Sequence, residues 1–356
     1  MIQNQQTIAV ALSGGVDSLV AGYLLKKQGY SVFGVHFITG YESPPDAAPC
    51  PDPASAAADR IGPIAEQLGI ELHIVDVRTE FEQRVVRYFT RTYREGKTPN
   101  PCLVCNPVIK FQTVFDRARK MGAQKLATGH YARIGKSTDG SLRLLRGADR
   151  SKDQSYFLAF LSPAHLGRAL FPLGSTTKTE VKAFAHQKGL VPAVSESQDV
   201  CFLRGDDYKR FLAERDPKAM RPGPIVAVDG KVIGEHKGLY GFTVGQRRGI
   251  NVPAAEPYYV VRLDRENNRL VVGFKEALYA GRCRVEKVQW PATRPETPFQ
   301  ARTRIRYRHG GATSTVIPVD TETVEVVFDR PQAAVTPGQG AVFYRGDEVI
   351  GAGIIA

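Results

Sequence analysis

The sequence predicts an α/β protein: a doubly wound parallel sheet, then a small central domain, then a C-terminal β-barrel. Three observations carry that expectation. Strand-like apolar runs alternate with helix-spaced runs through the first 130 residues, the rhythm changes after about residue 205, and from about residue 280 no helical period survives. Strands joined by helical crossovers run parallel and place ligands at their carboxyl ends. Short strands between Pro/Gly turns close into barrels. The boundaries expected are 1–205, 206–278 and 279–356, and 356 residues can build two or three separate cores.

The elements follow in order. Thr7 to Leu12 reads as a buried strand, and a stretch carrying Leu19, Val20, Leu24 and Leu25 reads as a helix ending before Gly29. Strands are expected at Ser31 to Phe37, Glu71 to Val77 and Lys125 to Thr128. Helices are expected at Ala54 to Leu68, Glu80 to Arg94 and Val108 to Met121, with Gly69 and Gly122 at the C-caps. Tyr41 to Pro53, with five prolines, reads as a loop. Arg221-Pro222-Gly223-Pro224 reads as a linker or turn, followed by strands at Ile225 to Val228 and Tyr258 to Leu263. Val285 to Trp290, Ala301 to Arg308, Thr323 to Phe328 and Ala341 to Tyr344 are the barrel strands expected. Alternate residues of a strand share a face, so Arg302, Arg304, Arg306 and Arg308 would form one cationic row.

Forty-eight Lys and Arg against 36 Asp and Glu leave a net charge of +12, which suits a polyanionic partner such as nucleic acid. No apolar stretch approaches the roughly 18 residues of a membrane span, and Met1-Ile2-Gln3-Asn4 lacks a signal-peptide layout. Five cysteines, an odd number, argue for a reducing cytoplasm and against a disulfide framework.

Ser13-Gly14-Gly15-Val16-Asp17-Ser18 lies between the first strand and its helix. A glycine turn there brings backbone N–H groups to an anion that the helix dipole favours. It is not the Walker loop: Gly96-Lys97-Thr98 and Gly135-Lys136-Ser137 carry Arg91 and His130 where the first glycine belongs. Cys102 and Cys105 form a C-x-x-C between Pro-containing turns, just before the expected helix near Val108, where a thiol pKa is lowered. A structural zinc site would need two more ligands, and no second C-x-x-C exists. Cys201 lies in a polar run read as a loop with an accessible thiol; Cys50 and Cys283 have no comparable context.

SGGVDS resembles the PP-loop of the ATP pyrophosphatases, which split ATP between the α- and β-phosphates. Further motifs follow in order: Thr98-Pro99-Asn100-Pro101-Cys102-Leu103-Val104-Cys105-Asn106, then Ala127-Thr128-Gly129-His130-Tyr131, then Lys152-Asp153-Gln154-Ser155-Tyr156-Phe157. Next come Gln198-Asp199-Val200-Cys201-Phe202, Gly234-Glu235-His236, Gly245-Gln246-Arg247-Arg248-Gly249 and Ala334-Val335-Thr336-Pro337-Gly338-Gln339. That order is similar to the tRNA-specific 2-thiouridylase (MnmA) family, from about residue 7 to the C-terminus. The resemblance implies an adenine-nucleotide-hydrolase-like fold and a tRNA-uridine 2-sulfurtransferase. Such an enzyme adenylates the C2 oxygen of the wobble uridine (U34) and replaces it with sulfur.

By that resemblance Ala11, Leu12, Ser13, Gly14, Gly15, Val16, Asp17, Ser18, Phe37 and Gly129 bind ATP, with Mg2+ held through Asp17. Cys105 is the nucleophile and Cys201 carries the persulfide. Asn100, Pro101 and Cys102 meet the target base, and Lys152, Asp153, Gln154, Arg306 and Tyr307 contact tRNA. Some family members have Asp in place of Cys102. Cys102, Cys105 and Cys201 could instead ligate a [4Fe-4S] cluster, so both sulfur routes stay open here. The implied partners are tRNAs for Lys, Glu and Gln and a sulfur donor of the cysteine desulfurase or sulfur-relay type.

Two other readings compete. A PP-loop ligase acting on a small molecule would need neither the reactive cysteines nor a β-domain for RNA. A non-catalytic RNA-binding or sulfur-carrier module would have no use for an intact Asp17 and Ser18.

Overall fold

The computed structural model describes residues 4–42, 51–194, 200–203, 208–216 and 221–356. By internal contacts the chain divides into two units: Met1–Val85 with Cys102–Arg204 and Asp347–Val349, and Val86–Pro101 with Gly205–Gly346 and Ile350–Ala356.

In the first unit, β1 (Asn4–Ala11), α1 (Val16–Lys27), β2 (Tyr30–Ile38), α2 (Pro53–Leu68) and β3 (Leu72–Asp76) follow the expected alternation. Then come α3 (Arg78–Phe81), a π-helical turn (Glu82–Val86) and α4 (Arg87–Arg94), the last belonging to the second unit. α5 (Pro101–Cys105), a π-helical stretch (Asn106–Val114) and α6 (Phe115–Lys120) lead to β4 (Lys125–Ala127). A hairpin, β5 (Ala132–Lys136) and β6 (Leu142–Arg146), precedes α7 (Ser155–Leu158), α8 (Pro163–Arg168), β7 (Ala169–Leu170) and α9 (Lys178–Gln187). The sheet order is β3-β2-β1-β4-β7, parallel throughout. β1 is therefore central, which is why Ile8 and Val10 are inaccessible and pack against Leu19, Ile61 and Ile64 from the helices. A parallel sheet covered on both faces reads as an unbroken apolar run.

Two sequence expectations shift here. Of the loop expected at Tyr41 to Pro53, residues 43–50 lie outside the described residues, and α2 begins one residue early at Pro53, where Asp52 caps it by accepting from the N–H groups of Ala54 and Ser55. The helix after the C-x-x-C begins at Pro101, so both cysteines lie within its first turns instead of before it. A proline is well placed at a helix start because its missing N–H would have no partner there.

In the second unit, α10 (Tyr208–Arg215) precedes a four-stranded sheet of order β10-β11-β8-β9, formed by β8 (Gly223–Ala227), β9 (Val232–His236), β10 (Tyr259–Asp264) and β11 (Arg269–Gly273). It packs its own small core around Leu239, Phe242, Val260 and Leu270. β12 (Tyr279–Gln289), β13 (Phe299–Arg304), β14 (Ala312–Pro318), β15 (Val324–Ala333), β16 (Gly340–Arg345) and β17 (Glu348–Ile355) form the barrel. Pairing of Val285 with Ile355 closes it.

The arginine row does not form. β13 ends at Arg304, and Arg306 and Arg308 lie in the bend and turn beyond it. Arg304 is buried: it donates to the carbonyls of His309 (3.0 Å) and Tyr307, with its guanidinium 5.9 Å from the ring centroid of Tyr344. The side chain that alternation placed outward instead holds the turn 305–309 closed from inside.

Candidate active site

The glycine turn follows directly from the end of β1. Leu12 N–H donates to Val35 O (2.9 Å), and the Leu12 carbonyl accepts from His36 Nδ1 (2.7 Å). Burial holds the His36 pKa below its ordinary value, so the neutral ring donates from Nδ1 and faces Arg60 with Nε2 at 3.2 Å. Gly15 is the N-cap of α1 and offers no side-chain cap. The first-turn N–H groups of an uncapped helix point outward with the positive end of the dipole, which suits an anion. Ser18 braces the turn, its hydroxyl donating to Gly15 O (3.0 Å) and accepting from Ser13 N–H (3.2 Å). Gly14 has φ +91°, a conformation that favours glycine.

Gly129, at the carboxyl end of β4, packs on this helix start. A Cβ there would lie 2.8 Å from the Asp17 carbonyl carbon and 2.9 Å from Ser18 N, so only glycine fits. Phe37, near the end of β2, is half-buried and keeps part of its ring accessible.

Asp17 does not stand alone. Lys178 Nζ lies 2.8 and 2.7 Å from its two carboxylate oxygens, and Tyr131 Oη donates to it at 2.7 Å. Tyr131 is tied in turn to Gln154 by bonds of 2.9 Å in both directions. Asp153 is 1 % exposed, accepting from Arg146 Nε (3.0 Å) and from the N–H groups of Gly147 and Ser155 (both 3.1 Å). The Asp153 side chain thus shapes its loop from within. Lys152 and Gln154 on either side of it are half-buried.

The cysteines come together in the first unit. Cys105 is buried, Cys102 half-buried and Cys201 exposed, and all are free thiols. Each interacts electrostatically with another of the three, and Lys110 is the cation felt at all of them. Burial pushes all three pKa values up, Cys201 to about 11, because desolvation outweighs Lys110. For Cys102 and Cys105, at the helix start, the direction is opposite to the lowered pKa expected there, because desolvation opposes the charged form more than the dipole favours it. Phe202 anchors the Cys201 arm, its ring 5.7 Å from Phe81 and 5.8 Å from Tyr41. Tyr41 donates to Glu82 (2.5 Å).

At its other end the arm is tied to the glycine turn: Ala193 and Val194 N–H donate to Gly14 O at 2.9 and 3.3 Å. Ser195 to Asp199 lie outside the described residues, as does Cys50. Among the described residues no group of three or more His, Cys, Asp or Glu side chains is arranged to hold a metal ion.

In the second unit, Thr98 N–H donates to Pro337 O (2.8 Å), and the Gln339 amide donates to the carbonyls of Thr98 and Pro99 (3.1 and 3.2 Å). Asn100 is half-buried and Pro101 buried. Arg306 donates to Ala333 O (3.1 Å), and Tyr307 is half-buried beside it. Lys178 and Tyr131 are the side chains that sequence reading missed at the glycine turn. A capping box formed by Thr177 and Glu180 opens α9, but nothing local links it to Asp17.

Fold and site together define a nucleotide-binding α/β protein with a thiol-bearing arm anchored on its phosphate turn. Family models match three consecutive segments: a tRNA methyl transferase HUP domain (residues 6–205), a tRNA methyl transferase PRC-barrel domain (209–274) and an aminomethyltransferase beta-barrel domain (280–355). A tRNA-specific 2-thiouridylase MnmA of Desulfosudis oleivorans is 50% identical over 98% of this chain and 94% of its own length. That of Syntrophotalea carbinolica is 46% identical over 100% of both chains. The chain belongs to the tRNA-specific 2-thiouridylase MnmA family. A solved U34-tRNA thiolase from Methanococcus maripaludis, bearing a [4Fe-4S] cluster, is 22% identical and covers 61% of this chain and 69% of its own, at TM-score 0.37. That likeness is too low to bear on the cofactor here.

Proposed function

We propose that this chain catalyses ATP-dependent 2-thiolation of the wobble uridine of tRNA, with sulfur carried as a persulfide on Cys201. The observation that carries the reading is the arm itself, hydrogen-bonded to Gly14 of the phosphate turn and bringing Cys201 to Cys105. Activation and sulfur transfer then occur side by side.

The chemistry follows from the groups present. A urea-like carbonyl oxygen leaves only when made into a good leaving group. Attack of the uridine O2 on the α-phosphorus of ATP forms the O–P bond and expels pyrophosphate. The uncapped N–H groups of α1 face the phosphates, and Gly129 lets the turn close on them. Asp17 is the carboxylate the turn offers to a magnesium ion, which would neutralise phosphate charge when bound. The terminal sulfur of the Cys201 persulfide bonds to C2 and AMP departs with its electron pair. Cys105 then attacks the Cys201 sulfur: the new S–S bond joins the two cysteines, and the C2–S bond stays with the nucleoside. An external thiol reductant restores the pair, and a cysteine desulfurase-type donor reloads Cys201.

Thiols held protonated by burial suit a resting enzyme that must not oxidise before RNA arrives. The base reaches such chemistry only by leaving its stack. Asn100 to Cys102 meet it, and Lys152, Arg306 and Tyr307 hold the tRNA. The basic charge supports the polyanionic partner. The family-model matches support division at 1–205, 206–278 and 279–356. No described helix is long and apolar enough to cross a membrane, and the reading places the enzyme in the cytoplasm with tRNAs for Lys, Glu and Gln. The test is mass spectrometry of wobble uridine in unmodified tRNA incubated with the chain, ATP and a persulfide donor, with iron assayed in the same preparation. Loss of activity on iron removal would overturn the persulfide route; absence of 2-thiouridine would overturn the function.

A further inference from the structure

Lys178 breaks two local rules at once. It is a cation in the first turn of α9, where the helix dipole opposes positive charge, and it is only 6 % exposed although lysine is almost never so deeply buried. Departures of this kind concentrate at functional positions. Its backbone is fixed from both sides. Thr177 and Glu180 close a capping box around it, and its own N–H donates to Asp149 (2.9 Å). The side chain then runs to the glycine turn, with Nζ bridging both Asp17 oxygens and lying 5.9 Å from the Tyr131 ring centroid.

We propose that Lys178 is a phosphate-binding residue of this site, the cation that meets the polyphosphate of ATP and the departing pyrophosphate. The inference rests on the nucleotide reading above. Asp17 is the second residue of α1, so the ammonium held on it sits at the mouth of the uncapped helix start. A lysine ammonium is a compact point charge suited to phosphate oxygens. The Asp17 carboxylate offsets that charge, which makes its burial tolerable. When phosphate occupies the turn, the ammonium gains a second anion beside the first and stabilises the negative charge that pyrophosphate carries away.

The experiment is calorimetric titration of the full chain with ATP, inorganic pyrophosphate and adenosine, with thermal melting as the fold control. Lys178→Met should weaken ATP and pyrophosphate binding by about tenfold or more, the worth of one charge-assisted hydrogen bond, and leave adenosine binding unaltered. Lys178→Arg should recover most of the loss. Asp17→Asn, titrated with pyrophosphate in metal-free buffer, should bind several-fold more tightly, because the Asp17 charge no longer competes with the anion for the ammonium. A folded Lys178→Met with wild-type pyrophosphate affinity would overturn the inference. If that variant does not fold, an unchanged or weaker pyrophosphate affinity in Asp17→Asn overturns it. Wild-type chain that binds neither ATP nor pyrophosphate would instead overturn the nucleotide reading itself.

Discussion

The glycine turn and the three-cysteine region lie in one unit and treat polarity in opposite ways. The turn gathers charge: an uncapped helix start, a carboxylate, and a buried ammonium within hydrogen-bond reach of it. The cysteine region disfavours charge: desolvation raises its thiol pKa values, with Lys110 too weak a counterweight, although Cys201 keeps an exposed face. One region is organised to meet an anion and release another; the other keeps sulfur dormant. Ala193 and Val194 meet the first region and Phe202 packs at the second. Two regions of opposite electrostatic character thus serve one reaction, the first meeting phosphate and the second supplying sulfur.

The comparison breaks most sharply at the sulfur end. Cys201→Ser and Cys105→Ser should each lower thiolation by on the order of a thousandfold or more, since a hydroxyl neither forms the persulfide nor resolves it. Cys283→Ser, in the barrel, should leave activity within about twofold, there being no group for it to serve. Nucleoside mass spectrometry reads all three, and residual 2-thiouridine in Cys201→Ser would end the persulfide assignment.

At the charged end, Asp17→Ala should abolish pyrophosphate release and also destabilise the fold. Removing the carboxylate leaves Lys178 buried beside a gap, at about 2 kcal/mol, or several degrees in Tm. A Tm equal to wild type would dissolve the ion pair's structural role.

The pH response should divide the regions further. With its pKa near 11, Cys201 should be alkylated by iodoacetamide about tenfold faster for each pH unit from 7 to 10, as the thiolate fraction grows. The sign for stability is the reverse. A thiol whose folded pKa is raised contributes most below its ordinary value, and that contribution is lost as pH rises from there through about 11. A labelling rate already flat at pH 8 would mean a solvated thiolate and no dry sulfur site.

Smaller effects test the packing. Gly129→Ala should cost about 1–3 kcal/mol through overpacking against the Asp17 backbone, and weaken ATP binding without altering thiol labelling. At the barrel, Arg304→Gln should lower Tm because its guanidinium closes the turn from inside. Arg306→Gln should leave Tm in place and reduce the salt slope of tRNA affinity by about 0.7–0.9. Identical behaviour of the two arginines would remove the distinction drawn between them.

What the sequence by itself determined is what local chain chemistry determines. Periodicity placed β1, α1, β2, α2 and the barrel, because each buries a face that repeats within a few residues. The glycines and Ser18 marked the phosphate turn, because no other residues adopt that backbone and brace it. The C-x-x-C and the later cysteine were legible as chemistry, though not as a single place.

Only the tertiary structure decided the rest. Lys178 reaches Asp17 across 161 positions, a pairing no local pattern encodes. The direction of the thiol pKa shifts turned on desolvation, which depends on the elements packed around the thiols rather than on the helix that carries them. Arg304 turned inward because β13 ends there, its carbonyl partners lie in the turn that follows, and the Tyr344 ring of β16 lies 5.9 Å from its guanidinium. For Lys178 and the thiols the deciding energy comes from contacts between distant segments, and these exist only once the chain has folded.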